Sequence, residues 1–203
     1  MTELEKMEKG LIYDPNVEEI MVLQRPYLDK LKEFNALKAS DTEGKFKYMK
    51  EVFASVGEGS YIELPFYANW GGAHVHFGKC VYANFNLTLV DDGHIYVGDY
   101  VLIGPNVTIA TPNHPILPEL RRKGLQYNKD VHIEENVWIG ANVTVVPGVT
   151  IGKNSVIGAG AVVVKDIPAN SVAVGNPCKV IRQISDHDKE YFYKNEKIDW
   201  NLI

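Results

Sequence analysis

The stretch VHIEEN VWIGAN VTVVPG VTIGKN SVIGAG AVVVKD IPANSV AVGNPCK, Val131 to Lys179, repeats every six residues. Ile133, Ile139, Val145, Ile151, Ile157 and Val163 share one phase. Val131, Val137, Val143 and Val149 stand two residues before the first four of them. A helix repeats at 3.6 residues and an ordinary strand at 2, so neither explains six. A short extended segment followed by a corner does. Stacked, such segments build a parallel β-helix whose flat faces each send one aliphatic side chain inward. Glycine follows several of these (Gly98, Gly104, Gly140, Gly152, Gly158), where the backbone has to bend or approach a neighbour closely.

Upstream, the same phase runs through Val97, Ile103 and Ile109, lapses at Pro115, Arg121 and Tyr127, and resumes at Ile133 in register. The lapse is TPNHPILPELRRKGLQYNKD, 111–130, with three prolines. A segment of that kind between two in-register repeats has to leave the solenoid as a loop, and long loops in compact domains commonly carry function. Phe77, Ala83 and Leu89 keep the six-residue spacing at another phase, and Asp91-Asp92-Gly93-His94 contains the shift. Residues 60–94 therefore read as degenerate early coils.

Residues 2–56 have helical character: Leu4 and Met7, a break at Asp14-Pro15-Asn16, then Leu23, Tyr27, Leu31 and Phe34 at helical spacing, and a further helix over Lys45 to Phe53. They read as an amphipathic cap over the open first coil, which would otherwise expose strand edges and core. Gly175-Asn176-Pro177 ends the repeat, and Lys179 to Lys194 returns to helical spacing. The expected organisation is one structural domain: a cap over 1–59, a β-helix over 60–178 carrying the 111–130 loop, and a helical tail over 179–203.

With 203 residues, 45% hydrophobic and 23% charged, the composition is that of an ordinary globular chain. A net charge of −5 gives no footing for nucleic-acid binding. Cys80 and Cys178 match no metal-ligand spacing and read as reduced, buried thiols. MTELEKMEKG lacks an apolar leader and no run reaches membrane-spanning length, so the expected location is cytoplasmic.

YANFNLTLVDD (82–92), TPNHPILPELRR (111–122), NVWIG (136–140), VPGVTIG (146–152), VIGAGAVVVKDIP (156–168) and GNPCKVIR (175–182) resemble the hexapeptide-repeat acyltransferases, and among them the galactoside and maltose O-acetyltransferases. The resemblance implies a left-handed coil, although ordinary strand crossovers are right-handed. It further implies acetyl-CoA as co-substrate, a sugar as acceptor, and a homotrimer with active sites between subunits.

Acetyl transfer to a hydroxyl needs a base, a seat for the thioester and stabilisation of an oxyanion. The chain has no GxSxG elbow, so the nucleophile is the acceptor's own hydroxyl. Histidine is the natural base near neutral pH, and His74, His76, His94, His114, His132 and His187 are the candidates. His114, in the rigid TPNHP turn, matches the family's catalytic histidine, and Asn84 matches the residue that steadies the transition state. By the same resemblance Asn69, Asp92 and, from the entry segment, Asp14 position the acceptor. Tyr82 adds an aromatic face suited to a pyranose, and Trp138 lies beside the coenzyme arm and acceptor. Ala141, Ala159, Val164, Lys165, Lys179 and Arg182 fall at coenzyme positions. The galactoside enzyme carries serine, threonine and arginine where this chain has Ala141, Val164 and Lys179, which removes two hydroxyls and turns one planar clamp into a point charge. No metal is expected. Competing readings are a zinc site from His94, His114 and His132, for which the usual HxxxxH pair is missing, a non-catalytic scaffold, and acetyl transfer to an amino sugar or a non-sugar acceptor.

Overall fold

The computed structural model describes residues 1–203. Three faces make up the solenoid. The first holds Ser55–Val56, Val75–Phe77, Ile95–Val97, Val131–Ile133 and Thr150–Ile151. The second holds Tyr61–Ile62, Tyr82–Ala83, Leu102–Ile103, Trp138–Ile139, Val156–Ile157 and Ser171–Val174. The third holds Phe66–Ala68, Leu87–Val90, Thr108–Ala110, Thr144–Val145 and Val162–Val163. All of these neighbours pair in parallel, so Ile62, Ala83, Ile103, Ile139, Ile157 and Ala173 stack as one inward column. Each is at most 1% exposed. That continuous column removes apolar surface from water on every rung, which is what holds short two-residue strands in place.

The early coils are as regular as the later ones. Eighteen residues separate paired Ile133 and Ile151. Twenty separate Phe77 and Val97, twenty-one Val56 and Phe77, and thirty-six Val97 and Ile133. Within each coil the steps to the second and third faces stay at six. Every extra residue therefore falls at one place, the return corner from the third face to the first. The phase shift near Asp91 is an insertion there, not decay of the repeat.

The glycines that follow the inward residues are a device separate from the left-handed bends. Gly98 and Gly140 lie against the next coil: a Cβ on Gly98 would sit 2.6 Å from Glu135 N, and one on Gly140 2.7 Å from Ala159 N. Many of the left-handed bends fall instead to asparagines, with φ near +60° at Asn86, Asn106, Asn136, Asn154 and Asn170, while Cys80, Tyr100 and Gly160 take others. Asparagine tolerates that conformation better than other residues with side chains. Its amides also ladder between coils, Asn136 to Asn154 at 3.0 Å and Asn154 to Asn170 at 2.9 Å.

Helix α1 (Glu3–Glu8) starts in a reciprocal cap between Thr2 and Glu5. α2 (Glu18–Asn35) and α3 (Thr42–Val52, capped by Asp41) bury Leu31, Phe34, Tyr48, Met49 and Val52 in the same core as the solenoid. The first coil begins at Ser55, five residues before the expected boundary, because Ser55–Val56 already pairs with the second coil. Cys178 is buried, but Cys80 is exposed at a left-handed corner. Its expected burial is corrected by that outward turn.

The tail also departs from expectation. Lys179–Gln183 is an antiparallel strand on Ser171–Val174, followed by a single helical turn (His187–Glu190) and a small hairpin, Tyr191–Tyr193 with Glu196–Lys197. The sixth coil leaves a free sheet edge, and pairing backbone groups there outweighs the helical spacing of the side chains. No helix is long and apolar enough to cross a membrane.

Candidate functional site

The three insertions stack at the return corner: 69–74, 91–94 and the 111–130 excursion. The first is held by Asp91. This buried carboxylate accepts from the backbone N–H of Trp70 at 2.7 Å and of Gly72 at 3.0 Å. Burial pushes its carboxyl up to about 6. The carbonyl of Asp91 also meets His74 Nδ1 at 2.6 Å. Asn69 and Asp92, thus fixed side by side, are joined by Asn69 Nδ2 donating to Asp92 Oδ2 at 2.8 Å.

The excursion is an arm. Pro112–Asn113 pairs antiparallel with Tyr127–Asn128, and one short helix, Pro118–Arg122, closes its tip. Its base is anchored by Thr111, which is buried and donates to Val90 O at 2.8 Å. The entry segment zips onto the arm through two backbone bonds, Tyr13 N to Gln126 O at 2.9 Å and Gln126 N to Tyr13 O at 3.0 Å. Gln126 then donates to Asp92 Oδ1 at 3.2 Å and to the Tyr13 hydroxyl, while Asn128 donates to Asp92 O at 2.9 Å. Sequence reasoning missed Tyr13, Gln126 and Asn128. Each lies in a segment whose pairing is settled only by the fold.

His114 sits exposed on the arm, next to buried Pro115. Its Nδ1 lies 2.8 Å from Leu125 O. A carbonyl can only accept, so Nδ1 carries the proton and Nε2 presents its lone pair outward. That is the tautomer a general base requires.

Asp14 stands one residue from this network, but its carboxylate accepts from Asn16 N at 2.9 Å and Asn16 Nδ2 at 3.1 Å, a local turn rather than a contact with Asp92. Asn84 lies at the opposite end of the third face, on the middle corner between the second and third faces. It is half-buried, and its Oδ1 accepts from Phe85 N at 2.8 Å. Ala141 and Ala159 occupy the same corner in coils four and five. Gly160 beside them is open, with nothing within 4 Å of a Cβ. Tyr82 and Trp138 share one outward row of the second face, with Leu102 between them. Leu102 and Trp138 are exposed. Val164 and Lys165 return to the corner of the arm, both exposed, and Lys179 is exposed on the tail strand. Arg182 is already engaged: its two terminal nitrogens each lie 2.8 Å from an oxygen of Asp188. The pairing holds the Asp188 carboxyl down at about 2.

Within one chain the three histidines of the zinc reading do not converge. His94 and His132 lie on the outer first face with Tyr96 between them in a ring stack, and His114 is on the arm. No three or more histidine, cysteine or carboxylate side chains converge on one point.

Residues 130–165 match the family model of the bacterial transferase hexapeptide (six repeats), and residues 6–57 match the maltose acetyltransferase hexapeptide capping motif. The chain is 53% identical over 188 residues to the galactoside O-acetyltransferase of Lactococcus lactis subsp. lactis (strain IL1403), covering 93% of this chain and 91% of that protein. The chain belongs to the hexapeptide-repeat acyltransferases. Two solved members of that group superimpose closely. A galactoside acetyltransferase in complex with coenzyme A has a TM-score of 0.93 at 45% identity, covering 98% of this chain and 99% of that one. A maltose O-acetyltransferase from Clostridium difficile 630 has a TM-score of 0.88 at 41% identity, covering 91% and 98%. Among hexapeptide-repeat acyltransferases, then, the cap matches the maltose enzymes' motif, while full-length likeness extends to both sugar classes.

Proposed function

We propose that this protein is an acetyl-CoA-dependent O-acetyltransferase acting on a hydroxyl of a sugar. The observation that carries the reading is the return corner: an outward histidine lone pair on an arm whose base holds the Asn69–Asp92 pair. In the proposed reaction the acceptor oxygen attacks the thioester carbonyl while His114 Nε2 takes its proton. The tetrahedral oxyanion is met by the amide of Asn84. Collapse breaks the carbon–sulfur bond, and the proton passes from His114 to the sulfur, leaving an acetyl ester and free CoA thiol.

Asn84 and His114 sit at the two ends of the third-face strands, and a face of about five extended residues spans ~16 Å. On that spacing we infer that one chain does not close both groups around one acetyl carbon. We take the missing half from a second copy, in a homotrimer whose sites lie between neighbours. The outward Tyr82–Leu102–Trp138 row, with Leu102 and Trp138 exposed, runs up to the Asn84 corner and is the surface such a neighbour would cover. Ala141 and Ala159 leave room for the pantetheine arm, and Lys165 and Lys179 offer cations for its phosphates. Val164 adds no hydroxyl contact. Arg182 joins them only by exchanging Asp188 for phosphate. Asp14 is proposed at the rim of the acceptor pocket. The cytoplasm is the proposed compartment.

Thiol release from acetyl-CoA against galactosides, glucose, maltose, glucosamine, serine and chloramphenicol tests the reaction and names the acceptor. Mixing the separately inactive His114→Ala and Asn84→Ala proteins after unfolding and refolding tests the shared site. Activity returning in the mixture supports it, because some sites then pair two intact halves. A silent mixture of correctly assembled proteins would sink the shared site.

A further inference from the structure

We infer that Gln126, held in place by Tyr13, orients the Asp92 carboxylate toward the acceptor and thereby sets acceptor affinity. The inference rests on the reading of Asp92 as an acceptor-binding group. Hydrogen-bond capacity fixes the direction of the network. Asn128 Oδ1 can only accept, so it takes the Tyr13 hydroxyl proton at 3.4 Å. The Tyr13 oxygen then serves as acceptor for Gln126 Nε2. The second proton on that nitrogen goes to Asp92 Oδ1 at 3.2 Å, while Asn69 serves Oδ2 at 2.8 Å. Each carboxylate oxygen thus spends one lone pair on an amide and keeps one free. The fixed carboxylate thus keeps acceptor capacity for an acceptor hydroxyl.

Tyr13, Gln126, Asn128 and Asp92 are 1%, 8%, 3% and 9% exposed. Water has little access to replace a lost partner, so a missing donor is felt in full. The network also joins three distant segments: the entry segment, the arm and the second-coil corner. The backbone bonds between Tyr13 and Gln126 keep these segments docked when the side chain of Gln126 is changed. Gln126 is accordingly a positioning residue, acting on substrate through Asp92.

The test compares Gln126→Met, Gln126→Glu, Tyr13→Phe and Asp92→Asn in steady-state assays with the best sugar acceptor. Gln126→Met keeps volume and removes both donors. It should raise acceptor KM about 10- to 100-fold, the usual cost of a hydrogen bond to a charged group, and leave the KM for acetyl-CoA unchanged. Tyr13→Phe should raise acceptor KM less, about 3- to 10-fold, since it removes only the anchor of the donor. Gln126→Glu is close to isosteric and places a second carboxyl against Asp92, which raises its own pKa by like-charge repulsion. Below that pKa the introduced carboxyl donates to Asp92, and above it the two repel. Its acceptor KM relative to wild type should therefore fall as pH drops from 8 to 6, a profile that a merely structural role would not produce. If Asp92→Asn raises acceptor KM while the three other variants do not, the inference is overturned and the acceptor reading stands. If Asp92→Asn leaves acceptor KM unchanged, the acceptor reading fails and takes this inference with it.

Discussion

Coils four and five, from Val131 to Val163, and coils one to three share the same three faces and the same inward columns. They differ in what happens after the third face. In the later coils the chain turns straight back, every step is short, and neighbouring rungs match residue for residue. In the early coils it pauses there, by a few residues at 69–74 and 91–94 and by a whole arm at 111–130. The pauses are stacked, so three separate insertions meet at one place and supply Asn69, Asp92, His114 and Gln126. A solenoid makes this possible because each coil is fixed by its neighbours. A corner can lengthen without disturbing the column of side chains inside. The repeat carries the core, and its exceptions bring Asn69, Asp92, His114 and Gln126 to one corner.

The largest effect expected is at the arm. His114→Ala should lower kcat by about 100- to 10,000-fold, the usual contribution of a general base. The unfolding midpoint should stay at the wild-type value, because the ring is exposed and bonds only to Leu125 O. A large loss of stability would break the division between arm and coils. The converse substitution is Ile139→Ala, in the fully buried second-face column. It should cost about 2–5 kcal/mol in denaturant unfolding while the folded fraction keeps wild-type kcat. A collapse of kcat in folded protein would show that the buried column itself tunes the chemistry.

Asp91 lies between the two regimes. Asp91→Ala leaves the N–H groups of Trp70 and Gly72 without a partner, a cost of about 1–3 kcal/mol for each buried donor, and should also raise acceptor KM through Asn69. Its pH dependence has a defined sign. Burial holds the folded carboxyl up at about 6 against an ordinary 3.8, so the native state binds a proton that the unfolded chain does not. Its contribution to stability therefore rises as pH falls through about 6 and levels off below 3.8. The difference in unfolding free energy between wild type and Asp91→Ala should widen from pH 7 to pH 4.5. A difference that narrows would refute the assignment.

The smallest effect concerns the bends. Asn154→Ala forces a side chain without local hydrogen bonding into the left-handed region and breaks two rungs of the asparagine ladder, at roughly 1–2 kcal/mol. Asn154→Gly should cost less, because glycine meets no steric penalty there. Equal losses in thermal unfolding would assign the effect to the ladder rather than to the backbone.

Much of this was legible beforehand. The six-residue phase marked the core residues, the proline-rich lapse marked the arm, and the TPNHP turn marked His114. The shift at Asp91 was visible as a shift, but not as an insertion aligned with two others. Alignment across coils depends on which residues pair, and local spacing does not state that. The tail misled because its side chains keep helical spacing while its backbone answers to an open sheet edge. Arg182 looked like a free cation, yet Asp188, six residues on, occupies it.

The sequence by itself determined the solenoid, its inward columns and the point where the chain leaves them, because periodic burial is a local property written every six residues. Only the tertiary structure decided that three insertions share a corner, that Tyr13 reaches Gln126 and Asp92, and that Asn84 and His114 stand at opposite ends of one face. Those are contacts between segments up to about a hundred residues apart. They are chosen by the stacking of whole coils, and no periodicity carries them.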